Sequence, residues 1–185
     1  MKNLILLIII LISATLSTNA QTFSLKSKDV GGQATLKQVF NDFGCTGQNI
    51  SPQLYWENVP KGTKSFAVTM YDPDAPTGSG YWHWVVYDIP ANVTELVSDA
   101  GNLNKQLAPK GAVQSRTDFG KPGYGGPCPP EGHGFHQYLI TLYALDVDKL
   151  GLPPEDSPAF VGFNLYFHTI AKASIVMYYK RDKTP

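Results

Sequence analysis

Residues 137–145, QYLITLYAL, decide the fold class. Two side-chain sets alternate along this run, Tyr138/Ile140/Leu142/Ala144 and Leu139/Thr141/Tyr143/Leu145. Both are largely apolar, so a strand here is central and covered on both faces. Two further runs are of β type. SFAVTMY (65–71) ends at Asp72-Pro73-Asp74-Ala75-Pro76, and WHWVVYDI (82–89) ends at Pro90. Proline has no N–H to give to a ladder, so each marks the end of a strand. LYW (54–56) reads as a shorter strand and ASIVMYY (173–179) as the last one. Ser157-Pro158 opens a helix, with serine as N-cap and proline at the first position. Beyond it Phe160, Phe163, Phe167, Ile170 and Ala171 fall on one helical face. Thr35 to Phe43 is ambiguous: Leu36, Val39 and Phe40 suit a helix, but the run is short. These elements predict a mainly β domain.

The chain has 185 residues, with no internal repeat and no low-complexity linker. That length suits one domain. Lys+Arg and Asp+Glu are both 15, so no overall basic field exists to hold a nucleic-acid backbone. Charged residues make up 16%, which argues against a highly charged disordered tail. Lys2, the nine-residue apolar run Leu4 to Ile12 and the small residues Thr18-Asn19-Ala20 read together as a secretory signal peptide. The apolar run is far short of the roughly 20 residues a membrane-spanning helix needs. Cleavage near Ala20 would leave residues 21–185 as a single secreted or periplasmic domain; an uncleaved anchor is the alternative. In that setting Cys45 and Cys128 are expected to form one disulfide, against the alternative of two buried thiols. Asn49 and Asn92 head glycosylation sequons, which matter only in a eukaryotic secretory route.

Three stretches could carry chemistry. Asp72-Pro73-Asp74-Ala75-Pro76 is a stiffened turn whose two carboxylates, two residues apart, could point the same way. His83 lies between Trp82 and Trp84, and alternation sends His83, Val85 and Tyr87 to one face and both indoles to the other. GYGGPCPPEGHGFHQY (123–138) is too rich in glycine and proline for helix or regular strand. Its backbone could approach a ligand closely or turn N–H groups toward an anion. His133, His136 and Tyr138 follow in the same stretch. His83 and His136 could donate to an anion, as could the Tyr138 hydroxyl, and a carboxylate such as Asp72 could orient one imidazole. Brought together, these groups would form a small polar cavity for a phosphate or carboxylate.

DPDAP (72–76), WHWVVYDIP (82–90) and GPCPPEGHGFHQY (126–138) resemble the signatures of the phosphatidylethanolamine-binding proteins, also called Raf kinase inhibitor-like proteins. GCTGQNISPQLYW (44–56), TDFGKPGYGGPCPPEG (117–132), LYALDVDKL (142–150) and SPAFVGFNLYFHTIAKA (157–173) are similar to the bacterial, secreted branch. The resemblance spans essentially the whole chain after residue 20. It implies antiparallel sheets in a Greek-key, sandwich-like arrangement with a few peripheral helices. It implies a pocket for the anionic head of a phosphorylated small molecule of the phospholipid head-group kind, with no catalytic residues, no metal and no cofactor. Carried onto this chain, the ligand-binding residues are Asp72, His83, Pro129, Pro130, His136 and Tyr138, with Trp82 as an aromatic wall. A homodimer is a further expectation. Two positions depart from many relatives. Gln137 stands where arginine is common, and alternation turns it away from the pocket. His133 replaces a non-histidine and is expected to be exposed rather than a third imidazole at the site.

Two other readings compete. An inhibitor acting on a protease or kinase needs a partner surface that no motif carries. A metal-dependent hydrolase would use the histidines, Asp72 and Cys128, but His133 and His136 lie in a Gly-rich loop and no HExxH pair or G-x-S-x-G stretch occurs.

Overall fold

The computed structural model describes residues 21–183, so the expected leader, residues 1–20, lies outside the described residues. Two antiparallel sheets and one α-helix form three layers. The small sheet runs β1–β2–β5, from β1 (Ser24–Lys26), β2 (Leu54–Glu57) and β5 (Glu95–Leu96). The large sheet runs β6–β4–β3–β7–β8, from β3 (Ser65–Asp72), β4 (Tyr81–Pro90), β6 (Val113–Gln114), β7 (His136–Leu145) and β8 (Thr169–Tyr179). β3 and β4 are sequential neighbours, and the chain then passes through β5 and β6 before returning as β7 on the other side of β3. That long return is the Greek-key feature.

β7 is central, between β3 and β8. Its two faces divide as the alternation requires. Tyr138, Ile140, Leu142 and Ala144 enter the main core between the sheets, with Leu54, Trp56 and Leu96 from the small sheet and Phe66, Val68 and Met70 from β3. Leu145 and Tyr143 enter a second core with Ala67, Val85 and Tyr87, roofed by Val161 and Leu165 of α1 (Pro158–His168).

The helix differs from expectation. Ser157 caps it, its hydroxyl accepting from the Phe160 amide, and Pro158 sits in the first turn. The buried stripe is Pro158, Val161 and Leu165. The aromatic stripe faces outward instead: Phe160, Phe163, Tyr166 and Phe167 are all exposed. Both stripes are apolar, so periodicity alone does not tell which of them meets the sheet. The last strand also begins earlier, at Thr169, directly after the helix. Residues 35–43 form turns, not a helix, with Val39 and Phe40 buried beneath them.

Cys45 and Cys128 are disulfide-bonded across 83 positions. The bond ties the Pro-rich loop to the turn at 42–45, beside Val39 and Phe40.

Candidate functional site

The ends of β3, β4 and β7 meet at one end of the large sheet, and the Pro/Gly loop closes over them. A cavity of about 160 Å³ lies between, lined by Asp72, Tyr81, His83, Phe119, Pro129, Pro130, His136 and Tyr138, with Phe43, Ala75, Pro76, Thr77 and Cys128 at its rim and walls. The volume is below the 300–1,000 Å³ typical of drug-sized sites, so it suits a head group, not a whole lipid.

A β-bulge aims His83 into this cavity. Met70 pairs with Trp84 and Tyr71 with Trp82, which leaves His83 as the additional residue of β4. Bulges re-aim side chains beside sites. Here the shift breaks the simple alternation. Trp84 enters the main core, whereas Trp82 packs on Tyr71 with ring centroids 4.6 Å apart, within the second core. Trp82 therefore does not line the cavity, contrary to the aromatic wall expected there. The aromatic wall is Tyr81 and Phe119, whose rings meet edge-to-face at 5.0 Å. His83 is held among Tyr81, Phe119 and Tyr138, with centroids at 5.3, 5.4 and 5.0 Å.

His83 Nδ1 lies 2.8 Å from the Gly125 carbonyl oxygen. A carbonyl only accepts, so Nδ1 carries the proton and donates. Burial lowers the pKa of this imidazole to about 4, outweighing the Gly125 carbonyl that favours its charge. Near neutral pH the ring is uncharged and Nε2 offers a lone pair. His83 is then a hydrogen-bond acceptor, not the anion donor that sequence reasoning assigned.

Asp72 is buried at the end of β3, and both its carboxylate oxygens have partners. Oδ1 accepts from the Asp74 amide at 2.8 Å, and Oδ2 lies 2.7 Å from His136 Nδ1. The carboxylate expected to orient an imidazole therefore orients His136, the first residue of β7. Asp74 points elsewhere, accepting from the Gln137 amide at 2.8 Å and fixing the start of β7. Gln137 itself is exposed, turned from the pocket as alternation requires.

Two residues on from His136, Tyr138 is fully buried, and among the described residues its hydroxyl has no partner of good hydrogen-bond geometry, although the Asp72 carboxylate stands near enough to act on it. Burial, reinforced by the nearby Asp72 charge, raises its pKa, so the hydroxyl keeps its proton. An unpaired buried hydroxyl costs about 1–3 kcal/mol.

Loop residues act through shape. Pro129 is buried and Pro130 exposed at the cavity edge. The amides of Tyr124, Gly125 and Gly126 donate to Gly101, His83 and the Asn49 side chain, so they do not form the anion-facing nest considered from sequence. A side chain at Gly125 would collide with the Phe119 ring, and one at Gly126 with the Gln38 backbone. Close approach, not positive φ, requires glycine at both positions. Asn49 uses both amide atoms inside the fold, on Gly126 and Tyr124.

His133 is exposed, as expected, and its Nδ1 nevertheless lies 2.7 Å from His136 Nε2, forming a row Asp72–His136–His133, so exposure and a place beside the site are not exclusive. The unanticipated residues are Tyr81, Phe119 and Phe43. Their proximity depends on the bulge and on long loops, which leave no periodic signal.

With this geometry, the comparisons with known proteins are consistent. The family model for phosphatidylethanolamine-binding protein matches residues 26–180. The chain belongs to the phosphatidylethanolamine-binding protein family. It is 49% identical over 168 residues to YbcL of Escherichia coli, covering 90% of this chain and 92% of YbcL. It is 50% identical over 145 residues to E. coli YbhB, covering 78% of this chain and 90% of YbhB. The crystal structure of E. coli YbcL, described as a new member of the mammalian PEBP family, superposes with a TM-score of 0.83 at 50% identity, covering 85% of this chain and 98% of that one. A PEBP homologue from Chlamydia trachomatis, CT736, superposes with a TM-score of 0.71 at 30% identity, covering 86% and 98% of the two chains.

Proposed function

We propose that this family member is an exported, secreted or periplasmic binding protein whose pocket takes the anionic head of a small phosphorylated or carboxylate-bearing ligand, and that it is not an enzyme. The observation that carries the reading is the buried, unpartnered Tyr138 hydroxyl at the cavity. It offers a buried donor that a bound oxyanion can take over from water.

His83 refines the ligand chemistry. Its Nε2 needs a donor, while Tyr138 needs an acceptor. An oxyacid that keeps one proton, such as a hydrogen phosphate or a phosphomonoester monoanion, supplies both on one group. The surrounding Phe119, Tyr81, Pro76 and Pro129 suit a short apolar substituent behind it.

The arrangement also favours binding over catalysis. Cys128 is tied up in the disulfide, so it is not a nucleophile. The three residues Asp72, His136 and His133 bond in a row, engaging one another instead of converging on a substrate atom. Titration of the protein with inorganic phosphate and with phosphoethanolamine by calorimetry tests the reading. Saturable 1:1 binding of either, lost in His83→Ala, supports it; no heat with both ligands, or turnover of a phosphomonoester, overturns it.

The homodimer belongs to the same proposal. The surface that supports it is the outward aromatic face of α1, which contributes nothing to the cavity. Exposed apolar area of this kind marks interaction surfaces.

A further inference from the structure

His136 has no free ring nitrogen. Nδ1 faces Asp72 Oδ2 at 2.7 Å and Nε2 faces His133 Nδ1 at 2.7 Å. An anion that is to accept a hydrogen bond from His136 must therefore take the place His133 occupies. Asp72 and His136 are buried and locked in the sheet, while His133 is exposed and lies between Gly132 and Gly134, both at positive φ (72° and 92°). Of the three members of the row, His133 is the exposed one; its amide donates to the Pro130 carbonyl and that of Gly132 to Arg181, so the backbone is held and the imidazole can leave by side-chain rotation.

We propose that His133 is a tethered competitor for the pocket, displaced when both imidazoles are protonated, so that anion entry is coupled to proton uptake. The proposal rests on the anion reading above and adds its regulation.

Proton placement gives the logic. His136 Nδ1 holds a proton toward the Asp72 carboxylate. With both rings neutral, His133 Nδ1–H donates to the lone pair on His136 Nε2. One further proton keeps the contact, since His136 Nε2–H then donates to His133 Nδ1. A second puts hydrogens on both facing nitrogens, and the contact becomes repulsive. The His133 imidazole then rotates out toward solvent, leaving His136 Nε2–H as a charge-assisted donor in the pocket. An anion stabilises that state, so by linkage its binding draws in protons and acid tightens it.

The charged and titratable groups around the row fit this scheme. Asp72 lies behind His136, and His83 and Tyr138 share the cavity with it. Asp74 accepts from the backbone at Gln137. On the loop's other contacts, Arg181 pairs with Glu131, the Lys183 side chain lies against Gly132, and Lys180 sits over Phe135 at 5.4 Å. Of these groups, Asp72 is the carboxylate bonded to the imidazole row, through His136.

The test compares wild type with His133→Ala, a change at an exposed position. Inorganic phosphate is titrated calorimetrically at about pH 5.5 and about pH 8, either side of the ordinary histidine range, in buffers of different ionisation enthalpy. The variant should bind phosphate roughly fivefold more tightly at the higher pH, the equivalent of one lost competing hydrogen bond. That advantage should vanish at the lower pH, and proton uptake on binding should fall by about one. NMR titration of the ligand-free imidazoles should show His133 and His136 as a coupled pair in wild type, and a single step at His136 in the variant. Equal or weaker phosphate binding by the variant at the higher pH overturns the proposal, as does independent titration of the two rings. Coupled rings with no phosphate binding in either protein identify the anion reading as the part that fails, and remove the competitor role with it.

Discussion

Replacing Tyr138 with phenylalanine separates stability from binding in one substitution. The hydroxyl is buried without a partner, while the ring is packed in the main core. Phenylalanine keeps the ring and removes the orphaned group. An unpaired buried hydroxyl costs about 1–3 kcal/mol, and water entering the cavity limits the gain to the lower end. The variant should therefore be more stable by about 1 kcal/mol, a rise in Tm of about 2–4 °C for a domain of this size. Phosphate should bind more weakly, because a hydrogen bond to a charged group is worth about 1.5–3 kcal/mol, or roughly 10- to 150-fold in Kd. Thermal melts followed by circular dichroism and calorimetric phosphate titrations read the two quantities separately. A variant that melts earlier and binds phosphate as wild type does would refute the reasoning, since the hydroxyl would then be structural.

Three further outcomes follow from particular groups. His83 takes its proton at about 4 in the folded chain and at 6.5 when unrestrained, so its contribution is complete above pH 6.5 and is lost as pH falls toward 4, to a total of about 3 kcal/mol. His83→Asn, which keeps a donor toward Gly125 but cannot titrate, should show a shallower acid loss in urea titrations between those pH values; parallel curves would contradict the neutral buried imidazole. Removing the disulfide by Cys45→Ser with Cys128→Ser should lower stability by about 4–5 kcal/mol in the chain-entropy model, and should weaken phosphate binding because Cys128 and the prolines frame the cavity; an unchanged urea midpoint would count against the bond. Phe163→Glu on the outward face of α1 should convert a dimer to a monomer in sedimentation velocity while leaving phosphate affinity intact; a monomeric wild type would remove the dimer proposal.

The fold was legible where side-chain periodicity and burial act together. β7 is central and two-faced because the largely apolar run Tyr138 to Leu145 can be covered on both faces only between two layers, and its alternation survives in the structure. Asp72, His83, His136 and Tyr138 reach one cavity because the end of β3 and the starts of β4 and β7 lie side by side, and of these only the end of β3, at Asp72-Pro73, was marked by a proline. Three features escaped. The bulge at His83 separates Trp82 from Trp84, and an inserted residue has no sequence signature beyond a register that fails. The orientation of α1 is undetermined by pattern because both of its stripes are apolar. The direction of hydrogen bonding by His83 depends on a carbonyl contributed by Gly125, 42 residues away. Residue type names an imidazole; only its neighbours say whether it gives or receives.

The most direct test is a crystal structure grown with phosphate in the medium. Phosphate density is expected in the cavity, with one oxygen bonded to the Tyr138 hydroxyl, a second facing His83 Nε2, and His133 displaced from His136. Phosphate confined to surface lysines, with Tyr138 still unpaired and the cavity holding only water, would contradict that expectation.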